Sequence, residues 1–248
     1  MATIAEEAVR TIDARPSGLA SRLNPTLCFW VFGLIFYGGA ATRFATGHFL
    51  NQIPRDLWQH LAALKALIAD PSHPLNPFVP TDDVSRHFHP YWVGVAQVAR
   101  IFHWDEWQAI IFAGYLTAGL LLGGIFVFGR TFYRDKWGPL ALIVAMTLGW
   151  LFPVSHTGYH SMGTLIEGVA YPAVLLIALS FFLWAMVIRA LEDPRWSVAI
   201  ALMSALMFAT HPLGAGIGIL VAGCFIVFTS DVPMKTRVYA SAAIAVGL

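Results

Sequence analysis

The chain has 248 residues, 58% of them apolar and 12% charged, with a net charge of +1. Soluble domains carry roughly 45–50% apolar and about 25% charged residues, so the composition excludes an ordinary soluble domain. The near-zero charge leaves no electrostatic footprint for nucleic acid, and the two cysteines, Cys28 and Cys224, lie inside apolar runs and support no disulfide framework.

Residues 1–24 are polar and of mixed charge (Glu6, Glu7, Arg10, Asp13, Arg15, Arg22) and predict a cytoplasmic tail. The first apolar run, Leu27 to Thr46, is long enough to span and has no convincing cleavage site after it, so it reads as a retained helix, not a signal peptide. A mostly polar segment, 48–107, follows. The second span is expected over Ala109–Phe128, ending at Arg130, Arg134 and Lys136, a short third over Gly138–Val154, and a fourth over Val169–Ile188. Trp196 to Phe228 is too long for one crossing at about 1.5 Å per residue. His211-Pro212 interrupts it midway and predicts two short helices that turn at the outer surface. A seventh span begins near Val238, and Leu248 falls about eleven residues into it, short of the roughly twenty needed to cross. The expectation is the front portion of a longer protein, or a truncated product. In sum, residues 25–248 predict an all-α polytopic bundle of about six to seven spans, with two amphipathic surface helices in its large outer loop.

With the tail inside, cytoplasmic segments hold Arg10, Arg15, Arg22, Arg130, Arg134, Lys136, Arg189, Arg195, Lys235 and Arg237. The opposite side holds Arg43, Arg55, Lys65, Arg86 and Arg100, spread mostly through one long loop, which agrees with the positive-inside rule. All nine histidines then lie outside: His48, His60, His73, His87, His89 and His103 in the long loop, His156 and His160 in the next outer segment, and His211 at the turn. Joining the two helices at His211 would invert everything after it.

Within the outer loop, Leu57, Leu61, Leu64 and Ile68 recur at helical spacing and predict a helix at the membrane surface, its apolar face in the headgroup region. Pro71, Pro74, Pro77 and Pro80 impose an extended stretch. Tyr91–Phe102 predicts a second short helix flanked by Trp92, Trp104 and Trp107 at interfacial depth.

Asp56 opens the first surface helix. With Gln59 three residues on it fits a capping box. Alternatively it pairs with His60, one turn away on the same face, to accept a proton or hold a divalent cation. Asp82 and Asp83 with His87 and His89 have the alternation of an extended metal-binding strand, or form a solvated turn. Asp105-Glu106 reads as a hydrated helix cap. Farther along, His156 and His160 have the spacing of one helical face, although Gly158, Gly163 and Gly168 oppose a regular helix. Glu167 borders the fourth span, where a carboxylate is costly unless paired or facing water.

A first span followed by a large outer loop opening R-D-L-W-Q-H-L-A-A-L-K-A-L, two surface helices within it, and short hairpins thereafter resembles the integral-membrane glycosyltransferases of the GT-C fold. The resemblance runs from about Leu27 to Leu248. It implies transfer of a sugar from a polyprenyl-phosphate carrier to an acceptor hydroxyl on the outer face, in the bacterial cytoplasmic (inner) membrane. It implies Asp56 as general base, Asp82, Asp83 and Glu167 as metal or substrate contacts, and Arg55 and Arg86 as contacts to the carrier phosphate. His60 joins Asp56 and Glu167 as a catalytic candidate. His156, His160 and His211 are substrate-binding candidates. Asp82, Asp83, His87 and His89 are candidates for a divalent metal ion. Expected partners are the lipid bilayer and a lipid-linked sugar donor, with no nucleic acid. The competing reading is a non-catalytic membrane subunit packed against a larger protein complex, which Gly-rich aromatic spans would suit.

Overall fold

A computed structural model describes residues 23–47, 55–80, 83–149, 165, 168–229 and 232–248, with Arg55 described by its backbone. Among these residues there are nine helices and no strand. The helices are α1 (Pro25–Ala45), α2 (Arg55–Ala69), α3 (Pro90–Phe102), α4 (Glu106–Tyr133), α5 (Gly138–Gly149), α6 (Pro172–Ala190), α7 (Ser197–Thr210), α8 (Pro212–Phe228) and α9 (Met234–Val246). Three of them, α1, α4 and α6, are long and apolar enough to cross a membrane. α5, α7 and α8 are apolar but shorter.

The boundaries follow local chemistry. Pro stands in the first turn of α1, α3, α6 and α8, where its missing N–H is no loss and its fixed φ suits the helix. Asn24 caps α1 by accepting from the Thr26 and Leu27 amides. Asp105 and Gln108 form a reciprocal capping box at the start of α4, as the sequence suggests for that acidic pair. α4 ends at Arg134, which adopts the left-handed conformation with φ 57°. α1 contains a π-helical turn, Leu34–Gly38, whose Tyr37 is buried with its hydroxyl 3.4 Å from Thr147 Oγ1 in α5.

Small residues set the packing directions. Gly114 sits beside Val169, and Gly124 beside Ala178 and Phe181, so α4 and α6 run parallel. α1 runs antiparallel to α4, with Gly33 against Leu122 and Thr42 accepting from the Tyr115 hydroxyl at 3.2 Å. The break at His211 is a true reversal. Arg189 stacks on Trp196 at 5.0 Å, while Thr210 and His211 reach Tyr171 at the far end of α6, so α7 is antiparallel to α6. α8 returns parallel to α6, with Gly214 against Leu176 and Gly218 against Ser180, and Trp184 Nε1 donates to the Gly218 carbonyl at 2.8 Å.

These directions give the bundle two unlike ends. One carries Arg134, Lys136, Arg189, Arg195, Lys235 and Arg237, with Arg134 paired to Glu192 across the ends of α4 and α6. The other carries α2, α3, the start of α4, Tyr171 and His211.

Three expectations about the outer loop are corrected. The apolar stripe of α2 is covered by protein and does not face the headgroup region: Leu57, Leu61, Leu64 and Leu67 are buried in one cluster with Trp92, Val95 and Ala99 of α3 and Ala109 and Ile110 of α4. Trp92 is fully buried and so is not at an interface, whereas Trp58 and Trp107 meet edge to face at 5.8 Å and remain exposed. An amphipathic stripe states that one face must be covered, but not by what; two adjacent amphipathic helices cover each other. In addition, α2 already includes Arg55, so Asp56 lies in its first turn and is not the N-cap of a capping box. α9 starts at Met234, ahead of the expected Val238.

A Cβ added at Gly124 would stand 2.7 Å from the Ala178 carbonyl oxygen, backbone that cannot yield without parting α4 from α6. Gly124→Ala should therefore destabilise the detergent-solubilised protein by about 1–3 kcal/mol in thermal unfolding. Gly119→Ala, where an added Cβ meets nothing within 4 Å, should not lower the midpoint and should raise it slightly through helix propensity.

Candidate functional site

At the end of the bundle bearing α2 and α3, a cavity of about 420 Å³ opens between four segments. α2 contributes Asp56, Gln59 and His60; the turn before α3 contributes Arg86, His87 and His89; Tyr171, Pro172 and Ala173 come from the start of α6; and Thr210, His211 and Pro212 come from the α7–α8 reversal. Its size is that of a small-molecule site.

Two consecutive residues of α3 hold this wall in place. The Tyr91 hydroxyl, buried, lies 3.0 Å from the Ala170 carbonyl, 3.0 Å from Thr117 Oγ1 and 3.3 Å from the Ala113 carbonyl. It thereby ties α3 to α4 and to the segment entering α6. Burial holds its phenol pKa above the usual range, against the opposing hydrogen bond from Thr117. Trp92 Nε1–H donates to His60 Nδ1 at 3.1 Å, inside the protein, and so ties α3 to α2.

The Trp92 bond fixes the chemistry of His60. An indole N–H only donates, so Nδ1 of His60 is the acceptor and the ring proton resides on Nε2. His60 is 9% exposed, and its pKa falls from 6.5 to about 3, first through burial and then through repulsion by His87, His89 and His211. The ring stacks obliquely on Tyr171 at 4.8 Å and meets His87 edge to face at 5.4 Å. This geometry gives His60 a donor's role toward the cavity, where the sequence suggests a proton acceptor paired with Asp56.

His211 is arranged alike. Its Nδ1 accepts from the Gly214 amide at 3.1 Å as it caps α8, which again places the neutral ring's proton on Nε2. His89 stacks parallel to Tyr91, and its pKa falls to about 4 through burial first, then through His87 and His211. Its Nδ1 is buried without a hydrogen-bond partner, as is Oγ1 of Thr210. His87 is also lowered, by burial and by Arg86, with Asp56 acting in the opposite direction.

Of the sequence candidates, Asp56, His60, Arg86, His87, His89 and His211 converge on the cavity. Glu167, His156, His160 and Asp82 lie outside the described residues, as does the side chain of Arg55. Asp83 is exposed and absent from the cavity wall; its carbonyl accepts from Asn76 Nδ2 at 3.0 Å, which pins the extended stretch against the following turn. Among the described residues no three of His, Cys, Asp or Glu are placed to share a metal ion. His87 turns toward His60 and Phe78 while His89 turns toward Tyr91 and Trp92, so the H-x-H alternation does not converge on one point. Trp92, Tyr171 and Thr210 are site residues that sequence reasoning passed over. The Tyr-Pro at 171–172, a helix start like His89-Pro90 and His211-Pro212, is the signal that could have placed Tyr171 at this end of the bundle.

Beside the cavity, sharing Thr210 with it, an apolar groove of about 270 Å³ runs between α3, α4, α6 and α7, lined by Val95, Val98, Leu116, Leu120, Leu179 and Leu206 among others. No family model, curated protein or solved structure matches the chain.

The depressed imidazole pKa values make a signed prediction. Unfolded histidines near pKa 6.5 bind protons that folded His60 and His89 refuse until about pH 3 to 4. Stability is therefore present above about pH 6.5 and is lost progressively as the pH falls. Thermal midpoints of the solubilised protein should drop between about pH 7 and pH 5, and a His60→Gln variant should show a shallower fall.

Proposed function

We propose that this chain is an integral-membrane glycosyltransferase of the GT-C type, or its N-terminal module, moving a sugar from a polyprenyl-phosphate carrier to an acceptor hydroxyl on the extracytoplasmic face. The observation that carries the reading is the adjacency of a polar, histidine-lined cavity and an apolar groove that share Thr210. That pairing suits an amphiphile whose head must meet polar groups while its chain stays in an apolar channel. The basic residues at the opposite end favour an orientation with that end in the cytoplasm and the cavity outside. In this reading the shorter apolar helices α5, α7 and α8, together with α9, complete a bundle of about six to seven spans in the bacterial inner membrane.

Asp56 is the carboxylate of the cavity wall and takes the role of general base. It removes the proton of the acceptor hydroxyl as that oxygen bonds to the anomeric carbon. The bond from the anomeric carbon to the phosphate oxygen breaks, and the phosphate leaves on its carrier. Arg86, which lines the same cavity from the turn before α3, takes the role of meeting the phosphate charge with its guanidinium. Gln59, beside the base, supplies an amide suited to sugar hydroxyls.

An Asp56→Asn variant should lower transfer by about a hundredfold or more while leaving the thermal midpoint intact, read as the glycan profile of cells carrying only the variant. An unchanged profile would sink the enzyme reading. Copurification with a large complex alongside an unchanged profile would favour the accessory-subunit reading.

A further inference from the structure

We infer that the cavity is a phosphate site read by two imidazoles locked as Nε2–H donors, His60 by Trp92 and His211 by the Gly214 amide. In both rings Nδ1 is already engaged as an acceptor, at 3.1 Å in each case, by a group that can only donate. Nε2 is then the one nitrogen each ring offers to the cavity that both line. A ring held this way cannot bind a cation through Nε2 without moving its proton to Nδ1, and that would set two donors against each other at Trp92 or Gly214. The ligand atom the two rings select is an acceptor: an oxygen, best an anionic one.

Two further observations point the same way. Arg86 lines the same cavity and pairs with no carboxylate among the described residues. Thr210, 4% exposed, has its hydroxyl buried without a partner at the junction with the apolar groove, where a phosphate oxygen would receive it. Trp92 is thus a positioning residue acting through His60, not a group that touches the ligand. The donor arrangement stands on these contacts alone; the source of the phosphate, a lipid head and not a free anion, rests on the carrier-dependent reading above.

The test is nitrogen NMR on the whole chain, ¹⁵N-labelled at histidine in detergent micelles, titrated separately with farnesyl phosphate, inorganic phosphate and farnesol. The wild type should show His60 and His211 with bare Nδ1 and protonated Nε2 at neutral pH, and farnesyl phosphate should shift both Nε2 signals saturably while farnesol leaves them in place. A response to farnesyl phosphate well below the concentration needed for inorganic phosphate identifies a lipid head; equal responses identify the free anion. His60→Gln, which can accept from Trp92 and still donate, should keep farnesyl phosphate affinity within a few-fold, and His60→Leu should weaken it about tenfold or more. Trp92→Phe should release His60 into mixed tautomers. If that variant does not fold, the wild-type spectrum decides: a proton on Nδ1 of His60, or Nε2 signals indifferent to both phosphates, overturns the inference. No sugar donor or acceptor takes part, so the outcome is separable from that of the transfer assay.

Discussion

The hydroxyl of Tyr91 is the constraint on which the site depends. α3 is a helix of 13 residues that buries Tyr91, Trp92, Val95, Ala96 and Ala99 against its neighbours, and its register there decides where Trp92 falls. A single buried phenol fixes it: the one O–H proton is shared between the Ala170 and Ala113 carbonyls while the oxygen can accept from Thr117, and leaving these groups unpaired in an apolar interior would cost more than the roughly 1 kcal/mol that a made bond contributes. With α3 fixed, Trp92 arrives at His60 and α2 is fixed in turn. The order of dependence runs from bundle to α3 to α2, so the segment between α1 and α4 forms an integral wall of the cavity.

That hierarchy also explains why imidazoles can be kept neutral so far inside a polar site. Burial disfavours the charged form of each ring, and every ring that stays neutral relieves its neighbours of repulsion. Neutral rings still offer strong directional donors, and they do so without the counter-ions that charged groups would demand.

Much of the architecture was legible in the sequence. Prolines after Asn24, His89, Tyr171 and His211 mark helix starts by their effect on φ, and the His211-Pro212 reversal could be inferred because the apolar run was too long for one crossing. Asp105 with Gln108 announced its capping box. The site was legible only as a side of the molecule. Histidines on several connecting segments could be assigned one face by charge counting, but which of them meet depends on α2 and α3 packing against each other, and periodicity does not encode the partner of an apolar stripe. Trp92 read as an interfacial aromatic because a tryptophan near an apolar helix is ambiguous until its N–H finds an acceptor. His60 read as a base because sequence spacing shows its distance from Asp56 and not the occupancy of its Nδ1.

The reversal at His211 has a consequence for how the protein is made. The cavity draws on α2, on the turn before α3, on the start of α6 and on the α7–α8 corner, so its walls leave the ribosome at widely separated times. α2 and α3 can pair as soon as both have emerged, and α4 gives Tyr91 its first two partners, but the carbonyl of Ala170 comes later and His211 later still. The cavity wall is therefore completed only when α8 packs back along α6 and brings His211 to the site, long after α2 and α3 have been made.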